Sequence, residues 1–375
     1  MTKVGLCFTC DRAVLAEGIG IASRVAMARS SMPVLEGVLV SGAAGTVRLT
    51  GYNLESGMDC VVEADVREPG DIVIPAATFG DIVRKLPEGQ VSVEIEGAKV
   101  GIKGGLSDFS IMVYPSADFP EVSMERTGNA FTVTQGILKN MIYRSVFSVS
   151  TSDAKPVHTG CKFTVEGTDI EMVGVDGYRL ALRREKLASP AEEPMSFVVQ
   201  GKILTEISRI IGEGDEPVTI WAGRRSVLFE TENFRLVTRT LEGEFLNYKG
   251  AIPQTAAITA TVDTKLMGDC LDRAALLISE KQRSPIRIRF EGDTALFTCS
   301  SPLGRVSDEI PIKSSGGDLE MGFNNKFLQD ALRYCGEDVV KLEMTTNLSP
   351  LVIRPIEGDS FIYLVLPVRL KNSDH

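Results

Sequence analysis

The sequence predicts an α+β protein of three similar domains, each with two helices packed on antiparallel sheet. Three observations support this fold class: an internal repeat of about 124 residues, a short amphipathic helix that recurs in each repeat, and alternating apolar and polar residues between the helices. The chain has 375 residues, of which 43% are hydrophobic and 24% charged, so it is long enough for several cores of ordinary domain size.

The recurring helix is the clearest mark of the repeat. We expect it over residues 78–86, 202–210 and 326–334, after strands such as 71–75 and 195–199. When the three copies are aligned, apolar residues coincide at helical spacing and predict a buried face. These residues are Phe79, Ile203 and Phe327, then Val83, Ile207 and Ala331, and then Leu86, Ile210 and Tyr334.

The opposite face of this helix is basic in every copy. Lys85, Arg209 and Arg333 share one position, and Lys202 and Lys326 lie seven residues earlier in the second and third copies. A second helix in each repeat has an apolar pair, a spacer and an arginine, namely Ile21, Ala22 and Arg24, then Met141, Ile142 and Arg144, and then Cys270, Leu271 and Arg273. Most surface lysines and arginines only solvate a helix, but agreement across three repeats favours one continuous positive surface.

The segments between the helices have the alternation typical of antiparallel hairpins. The clearest pairs are residues 91–95 with 100–103, 161–165 with 170–173, and 286–290 with 295–299. Each repeat is therefore expected to contain a helix, a run of strands, a second helix and further strands.

The predicted domains are residues 1–127, 128–253 and 254–375. The first boundary follows the turn at Asp118, Phe119 and Pro120, and the second lies around Pro253. Three such domains in a row leave an open sheet edge at each end of the chain. Head-to-tail pairing with a second copy would cover both edges, and it gives a ring if the rotation closes.

The composition argues against several other classes of protein. The net charge of −10 does not favour nucleic acid, although net charge does not say where the charges lie. The N-terminus lacks the pattern of a signal peptide, and no run of about 18 apolar residues is present, so we expect a cytoplasmic protein.

The cysteines and histidines do not predict a metal site or a cofactor. Cys7 and Cys10 form a CxxC in the opening strand, but the other five cysteines are far apart and the histidines are His158 and His375. A thioredoxin-like site would need this motif at a helix start. We therefore interpret the cysteines as small apolar side chains, and we expect no cofactor.

Several segments resemble the bacterial DNA polymerase III beta sliding clamps, and they extend over nearly the whole chain. They are residues 31–35 (SMPVL), 49–55 (LTGYNLE), 75–89, 115–120 (PSADFP), 176–181 (DGYRLA), 273–281 (RAALLISEK), 322–324 (GFN), 349–350 (SP) and 366–370 (LPVRL). Their order and their agreement with the repeat make the match strong. The resemblance implies a DNA clamp fold, in which a homodimer closes a ring of six domains around duplex DNA and tethers a polymerase without catalysing a reaction.

The resemblance also implies which residues contact DNA and which join the two copies. Arg24 and Lys202 match DNA-facing residues of the family. The register of the repeat adds six more cations: Arg84, Lys85, Arg144, Arg209, Arg273 and Arg333. Lysine and arginine on such a surface attract phosphates without distinguishing bases. The family's dimer contacts match Phe109, on an expected edge strand, and Leu276 and Leu277.

The family has an apolar pocket where polymerases, the clamp loader and repair proteins insert a short hydrophobic peptide, a mode that suits apolar residues. The matching residues here are Val175, Gly177, Tyr178, Arg179, Leu180, Leu246, Leu366, Pro367, Val368 and Leu370. The implied partners are the replicative polymerase alpha subunit, the clamp loader, other polymerases and repair proteins.

Some residues differ from the family pattern at functional positions. Leu246 replaces a frequent pocket proline, Gly250 and Ala251 replace an arginine and a valine, and His158 replaces a leucine of the pocket rim. Pro156 and Val157 stand where aromatic residues near DNA are expected, and residues 371–375 extend past the family's end. The peptide preference and the DNA contacts of this loop stay open.

Two alternatives belong to other functional classes. Asp176 with Arg179 could be a catalytic carboxylate and an anion clamp, but the sequence has no convergent base, nucleophile or metal set, no P-loop and no GxGxxG after a strand. The other alternative is a scaffold or a diverged clamp paralogue that binds partners but does not support replication. The basic helices argue against the enzyme, and only a functional assay distinguishes the paralogue.

Overall fold

The computed structural model describes residues 5–278 and 284–370. The end of the 273–281 segment and the tail at 371–375 lie outside the described residues. The α-helices of the described chain are α1 Arg12–Ala22, α2 Ala76–Lys85, α3 Gln135–Tyr143, α4 Gly201–Ile210, α5 Tyr248–Ala251, α6 Thr264–Ala275 and α7 Asn325–Cys335. Within the same residues, no helix is long and apolar enough to cross a membrane.

The chain forms two compact units. One contains the residues up to Thr134 together with Asp215–Thr240, and the other contains Gln135–Gly214 and the residues from Leu241 onward. The central third of the sequence therefore contributes to both units.

The first unit contains a five-stranded and an eight-stranded antiparallel sheet. The five-stranded sheet has the order β5-β1-β7-β8-β9, and the eight-stranded sheet has the order β10-β15-β16-β17-β4-β3-β2-β6. Their strands are β1 Cys7–Asp11, β2 Gly37–Ala43, β3 Thr46–Tyr52, β4 Ser56–Glu63, β5 Asp65–Glu68, β6 Gly70–Pro75, β7 Gln90–Glu96, β8 Lys99–Gly104, β9 Ser107–Met112, β10 Asn129–Thr134, β15 Pro217–Ala222, β16 Ser226–Glu230 and β17 Phe234–Arg239.

The second unit contains a nine-stranded and a four-stranded antiparallel sheet. The nine-stranded sheet has the order β14-β11-β12-β13-β26-β25-β24-β18-β22, and the four-stranded sheet has the order β21-β20-β19-β23. Their strands are β11 Gly160–Glu166, β12 Asp169–Val175, β13 Arg179–Lys186, β14 Met195–Gln200, β18 Ile258–Asp263, β19 Ile286–Glu291, β20 Thr294–Ser301, β21 Gly304–Pro311, β22 Lys313–Ser315, β23 Leu319–Phe323, β24 Val339–Met344, β25 Leu351–Pro355 and β26 Phe361–Val365.

The order of elements confirms the threefold repeat. Each repeat has a strand, a helix, a run of four or five strands, a second helix and three final strands. The predicted helices at 78–86, 202–210 and 326–334 correspond to α2, α4 and α7. The three predicted hairpins are β7 with β8, β11 with β12, and β19 with β20.

The apolar face of the recurring helix is buried at most of the predicted positions, whereas Ile210 and Tyr334 are only partly buried. Phe79 and Ile203 belong to the core, whereas Phe327 is only partly buried. Short polar residues cap several of the helices: Asp11 accepts from the Ala13 N–H at 2.8 Å at the start of α1, and Asn324 accepts from the Lys326 N–H at 3.1 Å at the start of α7. These caps fix where the helices begin.

Neighbouring repeats share a sheet within each unit. In the first unit β4 pairs with β17, and a hydrogen bond of 2.8 Å between the Ser56 and Thr238 hydroxyls is buried at this junction. The Asp59 carboxylate of β4 is buried and accepts from Arg48 at 2.6 Å and from Arg235 of β17 at 2.7 Å. In the second unit β13 pairs with β26 in the same way.

Candidate functional site

The first part of the site is the turn between β12 and β13. Gly177 in this turn has φ 90°, in the left-handed region that favours glycine. The Asp176 carboxylate accepts from the backbone N–H groups of Tyr178 at 2.9 Å and Arg179 at 3.0 Å. The turn presents Tyr178 to solvent, with 64% of its surface exposed.

The C-terminal segment 366–370 lies beside this turn. Directly after β26, the Leu366 N–H donates to the Tyr178 carbonyl at 2.8 Å. Two residues later the Val368 N–H donates to the Gly322 carbonyl at 2.7 Å. Two segments far apart in sequence are therefore held side by side.

An apolar cluster lies beneath these segments. Val175 and Leu180 are buried in it, and Phe245 packs against it. Its other members are Val173, Leu182, Tyr248, Ile252, Val352, Ile362 and Leu364. Leu246, Leu366 and Val368 are exposed large apolar side chains like Tyr178. We call the predicted set the partner groove, consisting of Val175, Gly177, Tyr178, Arg179, Leu180, Leu246, Leu366, Pro367, Val368 and Leu370.

Arg179 fixes the shape of the partner groove. Its side chain is only 11% exposed and donates to Asp176 at 3.0 Å and to Asp330 of α7 at 2.6 Å. It also donates to the Phe147 carbonyl at 2.7 Å and lies 4.6 Å from the ring centroid of Phe327. Because two carboxylates share its guanidinium, Arg179 positions the turn against α7, and it is not available as the anion clamp of an enzyme.

Sequence reasoning missed the residues that hold Arg179 from the other side. Asp330 and Phe147 were not among the predicted site residues, and Phe327 was predicted only as core. The ring of Phe327 also stacks on Tyr178, with centroids 6.3 Å apart. No local pattern could have identified these partners, because they come from parts of the chain that meet only in the folded protein.

The segment that carries Leu246 is held by an aromatic cluster. The ring of Phe245 lies 5.6 Å from that of His158 in an edge-on arrangement, and the Lys162 ammonium is 5.8 Å from the Phe245 ring centroid. His158 is buried, so it supports Phe245 from below and does not lie at an open rim. Burial, and then the charge of Lys155, lower the pKa of His158.

Four of the predicted DNA-facing residues of the second unit are exposed. Lys202 is in the first turn of α4, and Arg333 is in the last turn of α7. Arg209 is paired with Glu206 at 2.6 Å, and Arg273 is paired with Asp308. For Lys202 and Arg333 the described part of the chain shows no such carboxylate partner.

The first unit contributes two exposed cations from the last turn of α2. Arg84 is paired with Asp81 at 2.6 Å, one helical turn earlier. Lys85 is exposed and, among the residues described, is not in an ion pair. Both charges lie at the negative end of the helix dipole, which stabilises them there.

The prediction that Arg24 and Arg144 lie within helices is wrong. Both follow the helix end, because α1 ends at Ala22 in a tighter turn in which the Arg24 N–H donates to Ile21 at 3.1 Å, and α3 ends at Tyr143. The Arg144 guanidinium donates to the Cys335 carbonyl at 2.6 Å and is half-buried. Arg144 therefore caps the C-terminus of α7, which makes it a weaker candidate for DNA contact than Arg333.

In each unit, one sheet edge of the described chain has exposed apolar residues on it or beside it. In the first unit β9 is an edge strand and Phe109 on it is 40% exposed. In the second unit β21 is an edge strand, and Leu276 at the end of α6 is 80% exposed while Leu277 is half-buried. Sequence reasoning missed three exposed residues on or beside these edges: Leu106, Met112 and Leu303. The position of an apolar residue in a turn could have indicated Leu106 and Leu303.

The cysteines have the surroundings of core residues. Cys7 and Cys10 lie in β1, and burial raises the pKa of Cys10 to about 11 and that of Cys60 to about 12. All seven are free thiols. Within residues 5–278 and 284–370, no group of three or more His, Cys, Asp or Glu side chains is placed to hold a metal ion.

Helix pairs that repeat on shared antiparallel sheets, with cations at exposed helix ends, are the features of a DNA clamp. Comparison with known proteins agrees. Models of the N-terminal, central and C-terminal domains of the DNA polymerase III beta subunit match residues 6–123, 132–247 and 249–369. The chain belongs to this family, the beta sliding clamps.

The match extends over the whole length of the relatives. The beta sliding clamp of Bacillus subtilis is 28% identical over 374 residues, which cover 96% of this chain and 99% of that protein. A crystal structure of the Bacillus subtilis sliding clamp superposes with a TM-score of 0.94 at 28% identity, covering 98% of this chain and 100% of that one. A protein of Eubacterium rectale assigned as a DNA polymerase III beta subunit is 30% identical with a TM-score of 0.93, covering 97% and 100%.

Membership of this family gives the general function of the protein. The protein is a sliding clamp of DNA replication, a processivity factor that works with DNA polymerase III and is not itself an enzyme. It acts on DNA and on polymerase partners.

Proposed function

We propose that two copies of this chain close into a ring around duplex DNA and that the ring holds the replicative polymerase through a peptide bound in the partner groove. The ring would contain six domains, three from each copy, with residues 1–127, 128–253 and 254–375 as the domains of one chain. Such a ring works in the cytoplasm, where the chromosome is copied.

The DNA contacts are assigned to exposed cations at the helix ends. Lys85, Lys202 and Arg333 are free to meet phosphates. Arg84, Arg209 and Arg273 must first leave a carboxylate that lies at 2.6 Å or less from the guanidinium. An ion pair at the surface contributes at most about 1 kcal/mol, so these exchanges are cheap in both directions. Weak contacts of this kind do not distinguish bases and exchange quickly, which permits sliding.

Ring closure is assigned to the two open sheet edges. An edge strand with unpaired backbone groups and exposed apolar side chains is a template for another chain. Pairing of β9 from one copy with β21 of the other joins unlike surfaces, and such a head-to-tail contact gives a closed ring when its rotation allows. Phe109 would pack against Leu276 and Leu277 of the second copy.

The partner groove is assigned to a short peptide with apolar side chains. Tyr178, Leu246, Leu366 and Val368 expose apolar surface around a floor made by Val175 and Leu180. Burial of apolar area stabilises a bound peptide by about 25 cal/mol per Å². The replicative polymerase alpha subunit, the clamp loader, other polymerases and repair proteins would compete for this groove.

The observation that supports DNA binding most directly is the presence of exposed cations on helices that repeat three times. It is tested by loading the full-length protein with a clamp loader on a nicked circular plasmid, isolating the complex and cutting the DNA. We expect retention on the circle and loss after linearisation, because a ring is held by topology and its cation contacts are weak. Equal retention on both forms would indicate ordinary DNA binding, and no retention with an active loader would favour a scaffold that does not support replication.

A further inference from the structure

Two tyrosines meet where the C-terminal ends of α3 and α7 come together. Tyr143 is the last residue of α3, and Tyr334 is in the last turn of α7. Their ring centroids are 4.8 Å apart with the planes at 68°. This edge-on geometry is one of the preferred arrangements of two aromatic rings.

The tyrosine pair is supported from behind by further rings. Phe147 stacks on Tyr334 with centroids 4.6 Å apart and planes 9° from parallel. Tyr363 packs edge-on against Phe147, and its hydroxyl donates to the carbonyls of Arg144 at 3.0 Å and Tyr334 at 2.9 Å. The half-buried rings of Tyr334 and Phe147, backed by the buried Tyr363, therefore support the outermost ring, that of Tyr143.

Tyr143 is 54% exposed in spite of this support. A single exposed aromatic residue needs no explanation by itself. Here, however, the exposed ring is the outer member of an ordered stack, so a flat ligand that adds to it does not have to order the side chain first.

Arginines and carboxylates both lie around the tyrosine pair. Arg333 is exposed next to Tyr334, and the Arg144 guanidinium is held at the end of α7 by the Cys335 carbonyl. The carboxylate of Asp330 accepts from Arg179 at 2.6 Å, and Asp176 shares the same guanidinium. Glu337 and Asp338, just past the end of α7, are exposed acidic residues that work against an anion here. An exposed aromatic ring beside arginines is the combination with which proteins bind single-stranded nucleic acid.

We propose that Tyr143 is a stacking platform for an unpaired base of single-stranded DNA and that Arg333 neutralises the adjacent phosphate. The proposal rests on the proposed function, because that function places α3 and α7 on the DNA side, and it deepens it. The clamp would contact the single strand at a primer–template junction as well as the duplex. Bases within a duplex offer no free face, so the duplex would meet only the cations.

The test is equilibrium binding of the full-length protein, without a loader, to a fluorescein-labelled oligothymidylate and to a duplex of equal length. We expect Tyr143→Ala and Tyr143→Leu to weaken binding of the single strand roughly 5- to 150-fold, the equivalent of about 1–3 kcal/mol for one stacked base. Tyr143→Phe retains the ring and should bind like the unmodified protein. Duplex binding should change little in all three variants.

A matched control is Leu348→Ala, which removes another exposed apolar side chain and should leave single-strand binding unchanged. Undetectable single-strand binding by the unmodified protein, or unchanged binding by Tyr143→Ala, would overturn the proposal. Equal losses on both probes, with Tyr143→Phe also affected, would overturn it too, because they indicate a phosphate contact through the hydroxyl. Since this assay needs no ring and no loader, failure of plasmid retention would contradict the proposed function and not this one.

Discussion

At the scale of single residues, Arg179 does the most to define the partner groove. It joins the β12–β13 turn to α7 through Asp176 and Asp330, and it lies between the rings of Phe147 and Phe327. A charge this deeply buried is tolerated only because both carboxylates and a carbonyl satisfy its donors. The groove is therefore specified by a polar network as well as by apolar packing.

Removal of Arg179 should be strongly destabilising. Arg179→Ala leaves two mostly buried carboxylates facing each other, and breaking a buried pair in this way costs about 3–5 kcal/mol. We expect a loss of this size in the free energy of unfolding of the unit that contains it, measured by urea titration, together with loss of apolar-peptide binding. Lys265→Ala, which breaks an exposed pair with Asp269, serves as the control and should change neither quantity noticeably. Similar behaviour of the two variants would show that the Arg179 network does not hold the groove.

His158 should make the stability of the second unit depend on pH. Its folded pKa is lowered by burial, so the unfolded chain binds the proton more readily. The contribution of neutral His158 is then fully present above about pH 6.5, the ordinary histidine value, and is lost as the pH falls below it towards the folded pKa. Thermal unfolding measured across this range should show the melting temperature of the unmodified protein decreasing more than that of His158→Leu. Parallel curves for the two proteins would mean that other groups cause the dependence.

At the scale of elements, the ends of the helices decide which cations remain available. Gly336 ends α7 with φ 71°, and the Arg144 guanidinium lies so close to it that an added Cβ would be 2.2 Å from a guanidinium nitrogen. The C-terminal carbonyl of α7 is thus satisfied by Arg144, while Arg333, two residues earlier, stays in solvent. Two arginines predicted to have the same role are separated by this capping contact.

The difference between these arginines can be measured. Arg333→Ala should reduce the slope of log binding constant against log salt for duplex DNA by about 0.9, because one phosphate contact is lost. Arg144→Ala should change this slope less and should lower the melting temperature, because it exposes the end of α7. Thermal unfolding and salt titrations of both variants provide the comparison, and a larger change of slope for Arg144→Ala would contradict the assignment.

At the scale of the whole molecule, sheets that pass from one repeat to the next explain why the chain forms two units. The pairing of β4 with β17 and the pairing of β13 with β26 join strands from neighbouring repeats. Among the described residues, β9 at one end of the five-stranded sheet carries the exposed Phe109 and Met112, and the exposed Leu303 directly precedes β21 at one end of the four-stranded sheet. These edges are where a second copy would extend the sheets.

A charge on the β9 edge should prevent dimer formation. Phe109→Glu places a carboxylate where apolar contact is expected, and the edge position means that the fold of the chain itself is little affected. Light scattering after size-exclusion chromatography should give the mass of one chain for this variant and of two chains for the unmodified protein. Leu348→Glu, at an exposed site on neither edge, should keep the mass of two chains. A dimer of Phe109→Glu with unchanged affinity would rule out this edge as the interface.

The sequence by itself determined the threefold repeat, the recurring helices and the hairpins, because helical and strand periodicity are local properties. The segments proposed for the groove were implied by the resemblance to the sliding clamps. It also indicated that positive charge gathers on helices of an acidic protein. The tertiary structure decided that Arg144 caps α7, that His158 supports Phe245 and that Arg179 bonds to Asp330. These outcomes depend on side chains that lie more than a hundred residues apart for Arg144 and Arg179, and on the packing of loops for His158. A pattern in sequence specifies which face a residue occupies, whereas its partner on that face is set by the long-range pairing of strands.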